Sequence, residues 1–451
     1  MNPQTYKSLE FDRLIAALTA LATTDESRER LSSLAPNTDL KYITQELARV
    51  EEVRRLIQRN GSLPGGASDV RTFLKRASMS GSILEESELL AILHHLRIHT
   101  AARKLINREM TRMPLVAALA APLDPIPELE SALDKAITPE ATVRDSASPE
   151  LSRLRKAVGE QMDRLRARLM ALIPKLAKQG SLREESFSIR DGRYVLPVRS
   201  DAMGSVKGIV HDRSATGGTL FVEPAALIDL GNELRELELA ERDEVRRILK
   251  ELTSGVRANL GKIEINERVI VALDCLWAKA RLSEALDAYA PTVASGGALR
   301  ILGGRHPLLV LSGREVIPLN LELGVEHGVL VISGPNAGGK SVALKTVGLL
   351  TLMTACGLHV PALPGTEIPL FHAVEADIGD MQSITDDLST FTAHAVRLRE
   401  ILAKANKHTL VLIDEIGAGP IRTKELPSRL RLSNGSSRRA FRPSSPLITD
   451  R

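Results

Sequence analysis

Aromatic residues make up only 3% of the chain. That scarcity argues against the modules that read single-stranded nucleic acid by stacking bases on Phe, Tyr or Trp. The cores must then be aliphatic. Cysteine is equally sparse: Cys275 and Cys356 stand alone, which excludes a disulfide framework and a cysteine-rich zinc site and suits a reducing, cytoplasmic compartment. Cys356 precedes Gly357 at an expected helix end, where burial is expected rather than thiol chemistry. Long apolar runs are missing too. No segment reaches the length needed to cross a bilayer, and MNPQTYKSLEFDRL lacks a basic start followed by an apolar stretch, so neither a membrane span nor an export signal is expected. Most of the chain also lacks an excess of positive charge. Residues 420–451 hold eight Lys/Arg against Glu425 and Asp450, and this +6 exceeds the whole-chain +4, leaving −2 for residues 1–419. The basic total is therefore no argument that the body binds nucleic acid.

What is present is a globular composition, 43% hydrophobic and 26% charged over 451 residues, which is enough for two or more cores. Residues 1–145 read as a helical unit: EFDRLIAALTALA and ITQELARVEEVRRLIQ carry apolar residues three and four apart. Ser148, Pro149 and Glu150 make a helix start, with a capping side chain, proline in the first turn and an acid beside it. A stripe then runs through Leu151, Leu154, Val158, Met162, Leu165, Leu169, Leu172 and Leu176. A second runs through Leu227, Leu230, Leu234, Leu237, Val245, Ile248 and Leu252. Two long helices spanning 146–260 are expected to pair, with the period changing between them.

Residues 183–223 form the expected β tip of that pair. FSIRDGRYVLPVR places β-rich runs around an Asp191-Gly192 turn, and KGIVHDRS and GTLFVEP are further strands. Arg190, Arg193 and Arg199 are its candidate phosphate contacts. Acids offset the tip's cations, so a solvated surface and a phosphate-binding one both stand. Residues 261–297 return to helix, and 298–419 read as α/β.

The chemistry sits in that last segment. VLVISGPNAGGKSVALKTVGLL predicts a strand over Val329–Ser333, a glycine-rich turn and a helix, with Gly334, Pro335, Asn336, Ala337, Gly338, Gly339, Lys340 and Ser341 filling the P-loop pattern. Backbone N–H groups of such a loop cradle phosphates at a helix N-terminus, the lysine reaches the terminal phosphates, and the hydroxyl binds Mg²⁺. ATP and Mg²⁺ are the expected cofactors. TLVLI then delivers Asp414 and Glu415, an acid to hold the metal and a neighbour to orient or deprotonate the attacking water. Between them DIGDMQSITDDLSTFTAH carries a polar loop with Ser389 leading into a helix. Arg305-His306-Pro307 and His394 are weaker candidates.

P-loop, serine loop, acidic strand is the motif order of ABC-type ATPases. GPNAGGKS, DDLSTF and LIDEIGAG resemble the ATPase of the MutS family. SLEFDRLIAAL, RDGRYVLPVR, GIVHDRSATGGTLFVEP, NELRELELAE and GGRHPLL narrow the resemblance to its second bacterial paralogue, from about residue 6 to Gly419. The resemblance implies a multidomain protein: an all-α core and lever with long paired helices and a small β clamp tip, followed by an ATPase domain. It also implies a homodimer in which Ser389 reaches the nucleotide of the other copy, with Lys340, Ser389 and Glu415 in catalytic roles and Ser341 and Asp414 on the metal. No segment corresponds to the mismatch-reading domain of MutS proper. Phe221-Val222-Glu223 has the letters of its Phe-x-Glu pair but falls in the tip, where core packing before a helix start is expected. The resemblance points to branched or recombining DNA and suppression of recombination. The alternatives are a ribosome- and rRNA-binding factor that splits stalled ribosomes, or a non-hydrolysing fragment. After LIDEIGAG the family continues with further ATPase elements and usually a nuclease domain, whereas this chain reads PIRTKELPSR. The expectation is an interrupted ATPase domain to residue 419, a disordered basic tail over 420–451 like a stretch read in a shifted frame, and binding without efficient hydrolysis.

Overall fold

The computed structural model describes residues 3–414 apart from 60, 64, 67–68, 326, 335–337 and 379–386, and for residues 3 and 387–395 it describes only the backbone. Two helices dominate its length, Pro149–Lys178 and Ala225–Ala258. Ser148 caps the first as its sequence implies, its Oγ accepting the Leu151 N–H at 3.0 Å and donating to Glu244 Oε1 on the second helix at 2.6 Å. Contacts then step down one helix as they climb the other: Arg155 bonds Glu241, and Gln161 bonds Glu233 and the Leu230 carbonyl. The pair is therefore antiparallel, and the first helix alone carries the chain about 45 Å outward. Both apolar stripes face inward, with Leu151, Leu154, Leu165 and Leu169 of one and Leu227, Leu234, Ile248 and Leu252 of the other buried.

At the far end of the pair sits a four-stranded antiparallel sheet. Its strands are β1 (Ser188–Arg190), β2 (Arg193–Arg199), β3 (Gly208–Arg213) and β4 (Thr219–Pro224), in the order β1-β2-β4-β3. The Asp191-Gly192 turn has positive φ at both residues, 49° and 75°, as a two-residue hairpin with the twist of its strands requires. Tyr194, Leu196, Val198, Leu220 and Val222 close onto Leu165, Leu169 and Leu234, so the sheet is fastened to the helix ends by one apolar cluster.

The body is organised around the helix Leu260–Ala285, whose Trp277, Leu273, Ala278 and Ala280 are fully buried. One side packs on the helices Leu40–Ile57 and Glu86–Glu109. Its other side joins a core in which Leu9, Phe11, Leu14 and Leu18 meet Leu349, Leu350, Val374, Leu410 and Leu412. The first helices of the chain thus share a core with the α/β segment, 300 and more residues away in sequence.

That segment holds an antiparallel pair, β5 (Leu299–Gly304) with β6 (Leu319–Leu323), and a parallel pair, β7 (Ala373–Asp377) with β8 (Thr409–Ile413), the latter joined through the helix Asp387–Lys404. The helix Lys340–Ala355 packs across β7 and β8. The strand predicted over Val329–Ser333 does not form: those residues belong to no sheet, and Val329 and Val331 are 71% and 70% exposed. An apolar run becomes a buried strand only where neighbours complete its hydrogen bonds, and among the described residues β7 and β8 pair only with each other. Also among the described residues, no helix is long and apolar enough to cross a membrane.

Candidate nucleotide site

Gly339 takes a left-handed conformation, φ 80°, at the N-cap of the helix Lys340–Ala355. Glycine holds this backbone at little cost, which is why the loop can turn sharply into the helix. Lys340 folds back so that its Nζ donates to the Gly334 carbonyl at 2.5 Å, closing the loop's two ends on each other. Gly334, Gly338 and Gly339 are exposed at this turn. Pro335, Asn336 and Ala337 lie outside the described residues.

Opposite the helix start, β8 ends and presents Asp414. The Ser341 hydroxyl donates to its Oδ2, and the Asp414 N–H donates to the Asp377 carbonyl at 3.0 Å, continuing the parallel ladder by one step. Residues 73 apart in sequence therefore meet at the mouth of the glycine-rich turn. A hydroxyl and a carboxylate in contact are hard oxygen ligands of the kind Mg²⁺ takes, and the first N–H groups of the helix face the same side. Asp377, at the end of β7, adds a second carboxylate. Its Oδ1 lies 3.4 Å from Arg397 Nε, and Arg397 also donates to the Ala376 carbonyl at 2.8 Å.

Behind the loop, Lys345 Nζ donates to Glu10 Oε1 at 2.7 Å, and Arg13 holds the other oxygen. The Lys345 hydrogen bond, outweighing partial burial, keeps the Glu10 carboxyl below the usual range. The helix that begins at the candidate phosphate loop is thus tied to the first helices of the chain. His306 is 5% exposed and burial pushes its pKa down, so the neutral imidazole is favoured. Arg305 caps carbonyls of Leu286 and Asp287. These placements give the pair a structural part.

Ser389 stands in the first turn of the helix Asp387–Lys404 rather than in the loop before it. The side chains of Ser389 and His394 lie outside the described residues, as do Glu415 and the whole of 415–451. Cys356 is buried and its thiol is pushed up to about 12 by burial.

The tip arginines are each engaged with an acid. Arg190 lies 3.5 Å from Asp212 and over the Phe221 ring at 4.6 Å, Arg193 bonds Asn232 and approaches Glu223, and Arg199 binds Asp201 at 2.8 Å. Of Phe221-Val222-Glu223, only Val222 is core. Phe221 is half-buried beneath Arg190, and the Glu223 carboxylate, 3% exposed, binds His211 at 2.7 Å. Sequence reasoning passed over Asp377, Lys345 and Glu10. Asp377 carries a signal, since it ends a strand as Asp414 follows one, whereas the Glu10–Lys345 contact spans the chain and has none.

The model of MutS domain V matches residues 330–425. The chain is also similar to curated proteins named endonuclease MutS2. That of Pelotomaculum thermopropionicum is 40% identical over 420 residues, 93% of this chain and 53% of the relative. That of Agathobacter rectalis is 38% identical over 424 residues, 93% of this chain and 53% of the relative, and that of Bacillus velezensis 38% over 423, 93% and 54%. The chain spans about half the length of the curated relatives it matches.

Proposed function

The chain belongs to the MutS2 branch of the MutS family, and on that premise we propose that it binds Mg²⁺-ATP at the turn between Gly334 and Ser341 and acts on DNA, branched or recombining rather than mismatched. The carrying observation is the contact of Ser341 with Asp414 at the start of the helix Lys340–Ala355, with Lys340 folded over the same turn. In this reading the phosphates take the loop N–H groups and Lys340, displacing its bond to Gly334. Mg²⁺ takes Ser341 Oγ with Asp414 nearby, and Glu415 handles the attacking water. Ser389 meets nucleotide held by a second copy, so ATP joins a homodimer. The sheet at the end of the paired helices is the DNA contact, with Arg190, Arg193 and Arg199 exchanging their acidic partners for phosphates.

Binding of a fluorescent non-hydrolysable ATP analogue tests the first part. Lys340→Ala should abolish it, because the phosphate charge loses its principal cation. Unchanged affinity would remove the loop from the nucleotide site. A synthetic four-way junction in a salt series tests the second. Replacing the three tip arginines by alanine should flatten the dependence by up to about 0.9 in log–log slope for each phosphate no longer neutralised. An unaltered slope would return the tip to a solvated surface, and recovery of ribosomal subunits from extract without a junction shift would favour an rRNA target.

A further inference from the structure

Far from the nucleotide turn, His95 and His99 occupy one face of the helix Glu86–Glu109, four residues apart, and meet Glu267 from the helix Leu260–Ala285. His95 Nδ1 lies 2.7 Å and His99 Nε2 2.9 Å from the same oxygen, Glu267 Oε1. Three ligand-type atoms converge within 4.8 Å of one another in a setting where His99 is fully buried and His95 is 7% exposed. Burial raises the Glu267 carboxyl, but the hydrogen bonds from His95 and His99 outweigh it and hold it at about 2, so the oxygen is anionic at neutral pH.

We propose that His95, His99 and Glu267 form a binding site for a divalent transition-metal ion of the zinc class. The donor set decides the class: two imidazoles and one carboxylate suit a borderline ion such as Zn²⁺, whereas Mg²⁺ and Ca²⁺ take oxygen. Histidines at i and i+4 share one face of a helix and offer two ligands without moving its backbone. Bonds of about 2.0–2.2 Å in a tetrahedron separate ligand atoms by about 3.3 Å, so the three atoms open by roughly 0.5 Å to admit the ion. The helices supply that by small side-chain rotations.

Access is built in. A cavity of about 260 Å³ adjoins the cluster and is lined by His95 and Glu267, leaving room for a water as fourth ligand. Its walls carry five carboxylates, Asp25, Glu26, Asp69, Glu264 and Glu267, against two guanidinium groups, so the approach favours a cation. Asn266 supports the buried ring. Its amide is fixed by bonds to the Asp124 N–H and carbonyl at 2.8 Å each and stands 3.5 Å from His99 Nδ1. That contact is at the outer limit of a hydrogen bond, so the Nδ1 proton required when Nε2 takes the ion displaces no strong bond. Bound there, the ion links two helices of the body independently of nucleotide.

The test is Zn²⁺ uptake by the tag-free full chain, stripped with chelator and held in excess Mg²⁺ so that hard-oxygen sites do not compete. One Zn²⁺ per chain is expected, and Co²⁺ should give the intense visible bands of a tetrahedral site. His99→Asn, His95→Asn and Glu267→Gln should each weaken uptake roughly 100-fold or more, beyond the 10–100-fold loss typical of an outer partner. His94→Asn, at the exposed neighbouring position, should leave it unchanged. Circular dichroism verifies folding, and His95→Asn, beside the cavity, decides the matter should the buried His99 variant unfold. Absence of stoichiometric uptake, or uptake that His95→Asn leaves intact, overturns the proposal.

Discussion

Substituting Glu46 by alanine should be among the most destabilising single changes in the body. Its Oε1 accepts from Lys279 Nζ at 2.7 Å, and that lysine side chain is only 3% exposed. Once the carboxylate is gone, the ammonium keeps one neutral acceptor, the Cys356 carbonyl at 3.1 Å. Leaving a buried charge uncompensated costs about 3–5 kcal/mol, a large part of the roughly 5–15 kcal/mol that holds a typical domain folded. Arg49, 3.5 Å from Glu46, has a 21% exposed side chain and can turn to water, so little of the cost comes from that side. Replacing both members by methionine removes the uncompensated charge and should recover most of the loss, because a buried pair exchanged for apolar side chains is often neutral. Urea unfolding followed by tryptophan fluorescence reads this core directly, since Trp277 is the chain's one tryptophan, is fully buried and lies two residues from Lys279. A cost below about 1 kcal/mol for Glu46→Ala would refute the reasoning, as would a double variant no more stable than Glu46→Ala alone. The pair matters for function because Lys279 ties the central helix to the end of the helix that begins at the nucleotide turn.

Gly348 lies inside that same helix, where an added Cβ would stand 2.7 Å from Leu9 and 2.8 Å from Leu412; Gly348→Ala should lower stability by about 1–3 kcal/mol, read as a fall in the urea midpoint. The Glu10 carboxyl is depressed below its ordinary 4.5 by Lys345, so its contribution is fully present above that pH and is lost as pH falls through the lower folded value. Lys345→Met should therefore make the acid limb of the stability profile shallower, and an unchanged limb would remove the ion pair from the account. Asp414→Asn should weaken analogue binding in Mg²⁺ more than in EDTA, as titrations under the two conditions would show. Ala in place of Gly192, φ 75°, should destabilise the tip hairpin without altering nucleotide affinity.

Much was legible in the sequence because it is local. Apolar steps of three and four drew both long helices, a capping serine and a proline set where the first begins, and Asp191-Gly192 specified its turn, since each depends on neighbours within one or two turns of chain. The glycine-rich turn with Lys340 and Ser341, and the acid after β8, were legible for the same reason. Pairing across the chain was not. Val329–Ser333 has the letters of a buried strand, yet whether it becomes one depends on strands elsewhere to complete its hydrogen bonds. The tip arginines look like a phosphate surface until the fold sets Asp212, Glu223 and Asp201 beside them. His95 and Glu267 lie 172 residues apart and Glu10 and Lys345 335 apart. Each of these residues reads alone as a solvated or core side chain. Only the packing of the helix Leu260–Ala285 against both the N-terminal helices and the α/β segment brings them together, because burial leaves a charged or imidazole group stable only where another polar group meets it.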